Sequence, residues 1–138
     1  MRPDDVSVLA LLRESIGFLS DRQRVIAENV ANANTPGYVA QDLNETQFHR
    51  ALQAELRANR TNPGAVQANG LGSSSGSDDR LWSVMDSPDS ETTVNGNSVV
   101  VEEQMVKASE TRMRYETALS LYQKSLGLMR MAIRPPAR

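Results

Sequence analysis

Apolar side chains recur at alternating steps of three and four near both ends of the chain, while the middle has no such order. From Asp4 to Asn34, one stripe holds Leu9, Leu12, Ile16, Leu19, Gln23, Ile26, Val30 and Ala33. That spacing is a coiled-coil-like seam on one helix. Phe18, Val25, Asn29 and Asn32 form a second line beside it. Asp4 and Asp5 suit the start, where negative charge meets the positive end of the helix dipole. A helix of about thirty residues would extend about 45 Å. From Val101 to Ile133 the alternation returns in Met105, Ala108, Arg112, Tyr115, Leu119, Tyr122, Leu126, Met129 and Ile133, with only Arg112 breaking the apolar character. Glu102 and Glu103 lie near its start, Arg130 and Arg134 near its end, as the dipole favours. Pro135 and Pro136 stop it.

The second helix has a further side. Ala118, Leu121, Ser125, Leu128 and Ala132 cluster away from its seam. A helix that is apolar or small on nearly every side is normally buried all round. One partner helix covers one stripe and the polar middle cannot cover the other, so neighbouring subunits are expected to do so.

In the middle, Glu45 to Asn59 predicts a helix with Phe48, Leu52 and Leu56 on one face. Arg60 to Asp79 is rich in Gly, Ser and Asn and reads as a long flexible loop. Leu81 to Met85 fits a short strand. Asn95 and Gly96 signal a tight turn leading into Val99 to Val101. The expected architecture is mainly α. Long N- and C-terminal helices form an antiparallel coiled-coil-like pair around a small irregular middle, with segments 1–37, 38–98 and 99–138.

Composition changes this picture in one respect. Of 138 residues, 39% are hydrophobic and 4% aromatic, which is low for a compact core of this length. Because burial of large side chains drives folding, partners are expected to supply part of it. The net charge of -2 and the pI near 5.4 give no reason to expect nucleic acid. With no cysteine, disulfides and thiolate metal sites are excluded. His49 is the single histidine and reads as a solvated surface residue, so no metal set can be built around it. Asp78 with Asp79, and Glu102 with Glu103, are neighbours that point in different directions, unlike an acid–base pair. The loop serines lack a base, and no glycine-rich phosphate loop occurs. No catalytic, cofactor or metal site is therefore expected. Trp82 reads as a core or interface anchor. The basic residues Arg112, Arg114, Lys124, Arg130, Arg134 and Arg138 fit either a solvated stripe or pairing with acidic subunit surfaces. No run is apolar enough to span a bilayer, and no cleavable signal is visible.

The most informative stretch runs from Ala27 through Glu28, Asn29, Val30, Ala31, Asn32, Ala33, Asn34, Thr35, Pro36 and Gly37 to Tyr38. Pro36 disfavours helical geometry at Thr35. Thr35 to Tyr38 fits a type II turn, with Pro second and Gly supplying positive φ third. Asn32 or Asn34 fits a left-handed cap. The three asparagines read as caps, as hydrogen-bonding groups between helices, or as incidental; a buried asparagine fixes register at a cost in stability. Asn29 and Asn32 lie beside the seam. They are expected to face neighbouring chains or the following turn before their own partner helix.

On these residues the chain resembles the bacterial flagellar axial proteins. Their rod and hook members carry an N-terminal helix ending in a pattern close to A-x-N-[IV]-A-N-x-x-T-P-G-Y, matched here at Ala27, Asn29, Val30, Ala31, Asn32, Thr35, Pro36, Gly37 and Tyr38. Their C-terminal helix usually has a Tyr followed by apolar heptads, like Tyr115, Leu119, Tyr122, Leu126 and Met129. The resemblance covers a little over half the chain. Its short length, the Asn95-Gly96-Asn97-x-Val99 turn and the Glu102–Glu103 pair resemble the FlgB-type proximal rod branch, although that turn usually begins with Asp. The resemblance implies a structural subunit whose terminal helices pack with copies of itself and other rod proteins into a helical tube. The tube would transmit torque and enclose the export channel. It implies contact with the membrane ring and its adaptor protein, and export through the flagellar type III apparatus to a periplasmic rod without a cleaved signal. It implies no cofactor, no nucleic acid and no membrane insertion. Subunit packing would involve Leu9, Leu12, Ile16, Leu19, Ile26, Met105, Tyr115, Leu119, Leu121, Tyr122, Leu126, Leu128, Met129 and Ile133. The residues alone also fit a soluble helical adaptor or secretion chaperone that clasps a partner, or a different short rod protein of the same family.

Overall fold

A computed structural model of the chain describes residues 7–61 and 82–133. Five elements follow in order: α1 (Ser7–Ala31), β1 (Gln41–Leu43), α2 (Glu45–Thr61), β2 (Val84–Asp86) and α3 (Val101–Ile133). The fold is mainly helical, and α1 and α3 pack against each other as an antiparallel pair. Helix α2 runs past its expected end at Asn59 to Thr61, into the start of the expected loop; the rest of that loop, Leu81 of the expected strand, Asp4, Asp5, Arg134, the two following prolines and Arg138 lie outside the described residues.

Helix α1 buries Leu9, Phe18, Leu19, Val25, Ile26 and Asn29. The expected stripe and the line beside it are therefore both inside, and the buried surface shifts towards the second line. Val30, expected in the seam, is exposed, and Asn29 takes the inner place. In α3 the correction is larger. Met105 is 65% exposed and Arg112 is exposed, whereas Gln104, Thr111 and Ala118 are buried. The diagonal of Ala108, Tyr115, Tyr122 and Met129 is half-buried, as expected for a seam. Its partner line is displaced by one residue over the first half, from Met105 and Arg112 to Gln104 and Thr111. Ala118, placed by its spacing on the outer side, belongs to the core cluster with Phe18, Leu19 and Val25. Side chains this small let α3 approach the bulky face of α1, and close contact is what packing density rewards.

The middle segment supplies the rest of the core. Phe48 of α2 stacks on Phe18 at 4.4 Å between ring centroids, and Trp82 meets both rings edge-on at 5.5 and 5.7 Å. Offset stacks and T-shaped contacts are the favoured aromatic geometries. The indole N–H of Trp82 donates to Asp21 Oδ2 at 3.1 Å, so this residue is an internal anchor. Strands β1 and β2 pair antiparallel, with Gln41 opposite Asp86 and Leu43 opposite Val84. The expected strand thus begins at Val84, later than predicted, and its partner β1 was not anticipated. Asp42 accepts two bonds from the Arg22 guanidinium, at 2.9 and 2.8 Å, tying β1 to α1. Burial acts to lower the Arg22 pKa, but the hydrogen bond and charge of Asp42, with Glu45 and Glu110 behind it, outweigh that and raise it.

Candidate functional site

The two turns singled out in the sequence meet at one end of the helix pair. Helix α1 unwinds through overlapping bonds: Asn32 N–H donates to the Glu28 carbonyl (3.1 Å), Ala33 N–H to Val30 (3.2 Å) and Thr35 N–H to Asn32 (2.9 Å). Tyr38 N–H then donates to the Thr35 carbonyl at 3.3 Å, and Gly37 has φ +72°. This is the expected type II turn. Neither Asn32 nor Asn34 has positive φ, so the left-handed asparagine cap does not form. The Asn32 amide instead donates to the Glu28 carbonyl at 2.8 Å.

The second turn closes with Gly96 N–H to the Thr93 carbonyl (2.8 Å) and Thr93 N–H to the Asn97 carbonyl (2.8 Å), with Gly96 at φ +82°. It docks on the first. Gly37 N–H donates to the Asn95 carbonyl and Ser98 N–H to the Tyr38 carbonyl, both at 3.0 Å. A Cβ on Gly96 would lie 3.4 Å from Gly37 Cα. Between the turns, the Asn97 amide donates to the carbonyls of Asn32 (2.9 Å) and Thr35 (2.7 Å). It thereby satisfies acceptors that the end of a helix leaves open. No role for Asn97 was read from the sequence; the Asn-Gly-Asn spacing was visible, but the carbonyls it serves are far away in the chain.

Gly37 has open space where a side chain would go, so substitution costs only backbone strain. Gly37→Val should destabilise the fold by about 1–3 kcal/mol, read as a lowered denaturation midpoint. Unchanged stability would contradict this geometry.

Asn29 is fully buried. Its Nδ2 donates to the Gln41 carbonyl (2.7 Å) and to Gln104 Oε1 (3.0 Å), and its Oδ1 accepts from Gln41 N–H (2.9 Å) and the Tyr38 hydroxyl (3.2 Å). The side-chain amide pairs with the backbone of Gln41 from both sides, as a neighbouring strand would, and covers that edge of β1. Asn29 thus faces the following turn, as expected, and also its own partner helix, which was not. Burial, with the charge of Glu28, raises the Tyr38 pKa and favours the protonated hydroxyl that Asn29 accepts from.

The bonds continue through α3. Gln104 Nε2 donates to Asp89 Oδ2 (2.8 Å), which also accepts from Val100 N–H (2.9 Å), and Lys107 Nζ donates to Asp89 Oδ1 at 2.7 Å. Asp89 caps the start of α3 from outside the helix. Burial by itself would raise its carboxyl pKa, but hydrogen bonds from Lys107, Gln104 and Val100, and the Lys107 charge, hold it below the usual range. A depressed carboxyl stabilises the fold above the unfolded pKa of about 3.9 and loses that contribution as pH falls through the lower folded value. Urea midpoints measured downward from pH 5 should therefore fall more steeply for the wild type than for Asp89→Asn. Equal slopes would contradict the cap.

The expected packing residues divide between two surfaces. Leu9, Leu19 and Ile26 are buried, and Leu12, Ile16, Tyr115, Leu119, Tyr122, Leu126 and Met129 are half-buried. Leu121 and Leu128 are 49% and 55% exposed on the outer side of α3, with Val106, Met113 and Met131 more exposed still. At 100° per residue these five share one face, with Met113 and Met131 on a single line. Val106 and Met113 extend this face towards the start of α3, beyond the cluster from Ala118 to Ala132 that the spacing predicts. In the motif, Ala27, Val30, Ala31, Thr35, Pro36 and Gly37 are exposed. The side chain of Ile133 is outside the described set. Among the described residues, no acidic, histidine or cysteine group could hold a metal, and no helix is long and apolar enough to cross a membrane.

Residues 19–38, from the inner half of α1 to the end of the Thr-Pro-Gly-Tyr turn, match the family described as flagella basal body rod protein. The flagellar basal body rod protein FlgB of Agrobacterium fabrum is 33% identical over 135 residues, covering 94% of each chain. FlgB of Salmonella typhimurium is 27% identical over 132 residues, 89% of this chain and 91% of its own. FlgB of Yersinia enterocolitica is 25% identical over 125 residues, 82% and 83%. With similarity that runs nearly end to end and includes the residues of the junction, the chain belongs to the FlgB family of flagellar basal-body rod proteins.

Proposed function

We propose that the chain is a structural subunit of the proximal rod, packing with copies of itself and with other rod proteins into the tube that transmits torque and encloses the export channel. The observation that carries this reading is the outer face of α3. The α1–α3 pair is closed by a polar junction, yet a long line of large apolar side chains stays exposed on it. Soluble monomers rarely expose such a surface, which marks an interaction site. Residues 1–37 and 99–138 would form the axial core and 38–98 a segment outside it. The remaining partners of this reading are the membrane ring, its adaptor protein and the type III export apparatus. The rod would lie within the periplasm, reached without a cleaved signal. The subunit performs no catalysis in this role.

The test is to dilute the purified full-length chain from denaturant, alone and with the other rod proteins, and follow sedimentation and electron micrographs. Polymer or co-polymer is the expected result. A stable one-to-one complex with a single cytosolic client, without polymer, would identify a soluble adaptor or chaperone instead.

A further inference from the structure

The apolar stripes of α1 and α3 hold the pair together without defining how the helices align. Leu12, Leu19 and Ile26 repeat every seven residues, as do Ala108, Tyr115, Tyr122 and Met129. Sliding one helix by a heptad carries each residue onto the next and shifts α3 about 10 Å along α1. Apolar contact is non-directional and discriminates weakly among such alignments. Directional bonds near the start of α3 reach the end of α1: the backbone bonds of the docked turns, Gly37 N–H to Asn95 and Ser98 N–H to Tyr38, and those of two side-chain amides. Asn97, 2% exposed, donates to the carbonyls of Asn32 and Thr35. Gln104, fully buried, accepts from Asn29 and donates to Asp89.

We infer that Asn97 and Gln104, acting with the docked turns at Gly37 and Gly96, are the positioning residues of the helix pair, choosing one alignment of α3 on α1 from the set, a heptad apart, that the apolar stripes accept. The donor order leaves no freedom. The Tyr38 hydroxyl donates to Asn29, Asn29 to Gln104, and Gln104 to Asp89, which also accepts from Lys107. In an antiparallel pair with Asn29 opposite Gln104, a slip of one heptad sets Gln104 opposite Arg22 or beyond the helix at Pro36. The Arg22 fork is already committed to Asp42, and Pro36 has no N–H to offer. Either slip strands two buried amides, and stranded buried polar groups are costly. The other bonds of Asn29 go to Tyr38 and Gln41, so they persist in any alignment and do not select one.

Because the chain has no cysteine, alignment can be read directly. Ser20→Cys and Lys124→Cys, both at exposed positions, carry nitroxide labels in the full-length chain, and their separation is measured by pulsed electron spin resonance. The wild-type background should give one distance. Asn97→Ala and Gln104→Leu should each retain it, since the other amide and the docked turns still hold α1. Joined together, and with Gly96→Val to break the positive-φ turn packed on Gly37, the combined variant should keep its helix content by circular dichroism and show a second distance, with the slipped population rising to at least about a tenth of the molecules. A single unchanged distance in the combined variant would overturn the inference. So would loss of its helices, which would make the amides general supports. A broad distribution in the wild-type background would overturn it as well.

Discussion

Leu121→Asp combined with Leu128→Asp should abolish rod formation while leaving the folded subunit intact. The two leucines are 49% and 55% exposed in the single chain and face away from α1. Substitutions at such positions usually change stability by less than about 0.5 kcal/mol each. If neighbouring subunits cover this face, each aspartate would enter an apolar contact as an unpaired charge, at a cost of several kcal/mol per site. Repeated along a polymer, that penalty recurs at every subunit contact. The readouts are circular dichroism and thermal midpoint for the subunit, sedimentation for polymer, motility for the cell, and subunit delivered outside the cytoplasm for export. Intact folding and export with no rod and no swimming is the expected combination. Normal rods would remove the outer face of α3 from the assembly.

Asn29→Ala should have the largest effect on the subunit itself, about 3–5 kcal/mol of lost stability. The side chain makes four hydrogen bonds in a site closed to water. Removing it leaves Gln41 N–H and carbonyl, the Tyr38 hydroxyl and Gln104 Oε1 short of partners at once. Asn32→Ala is the control. Asn32 lies in the same motif, but its amide bonds a carbonyl at the exposed end of α1 and accepts from Thr35. Its loss should cost no more than about 1 kcal/mol. Denaturant titrations of the two variants should differ by several-fold in the free energy lost; similar losses would mean that the junction is not organised around Asn29.

What could be read in advance follows from how local each signal is. The type II turn at Thr35–Tyr38 and the tight turn at Gly96 depend on residues adjacent in the chain, and both were legible. Helix α3 was legible from its start at Val101, because apolar periodicity is local as well. Which side of α3 turns inward was not. Apolar or small residues occur around most of its circumference, so the stripe through Met105 competes closely with that through Gln104. The choice is made by Asn29 and Asp89, distant in sequence. Strand β1 escaped for the same reason. It has three residues, no alternation, and exists through β2 on one edge and the Asn29 amide on the other. The motif itself was legible as a family mark, but the division of labour among its asparagines was not. Asn29 works in the interior and Asn32 at the surface, although their residue type and neighbours are similar.

The contact between Gly37 and Gly96 has a consequence for the architecture of the subunit. With Tyr38 and Ser98 joined by a backbone hydrogen bond, the chain leaves the helix pair and returns to it through the same doorway. The separation of those two points is set by two stacked glycines and does not depend on how many residues lie between them. Length added to or removed from the excursion, away from Phe48 and Trp82, need not move either helix. The subunit is built like a plug with a fixed pair of pins and an interchangeable housing.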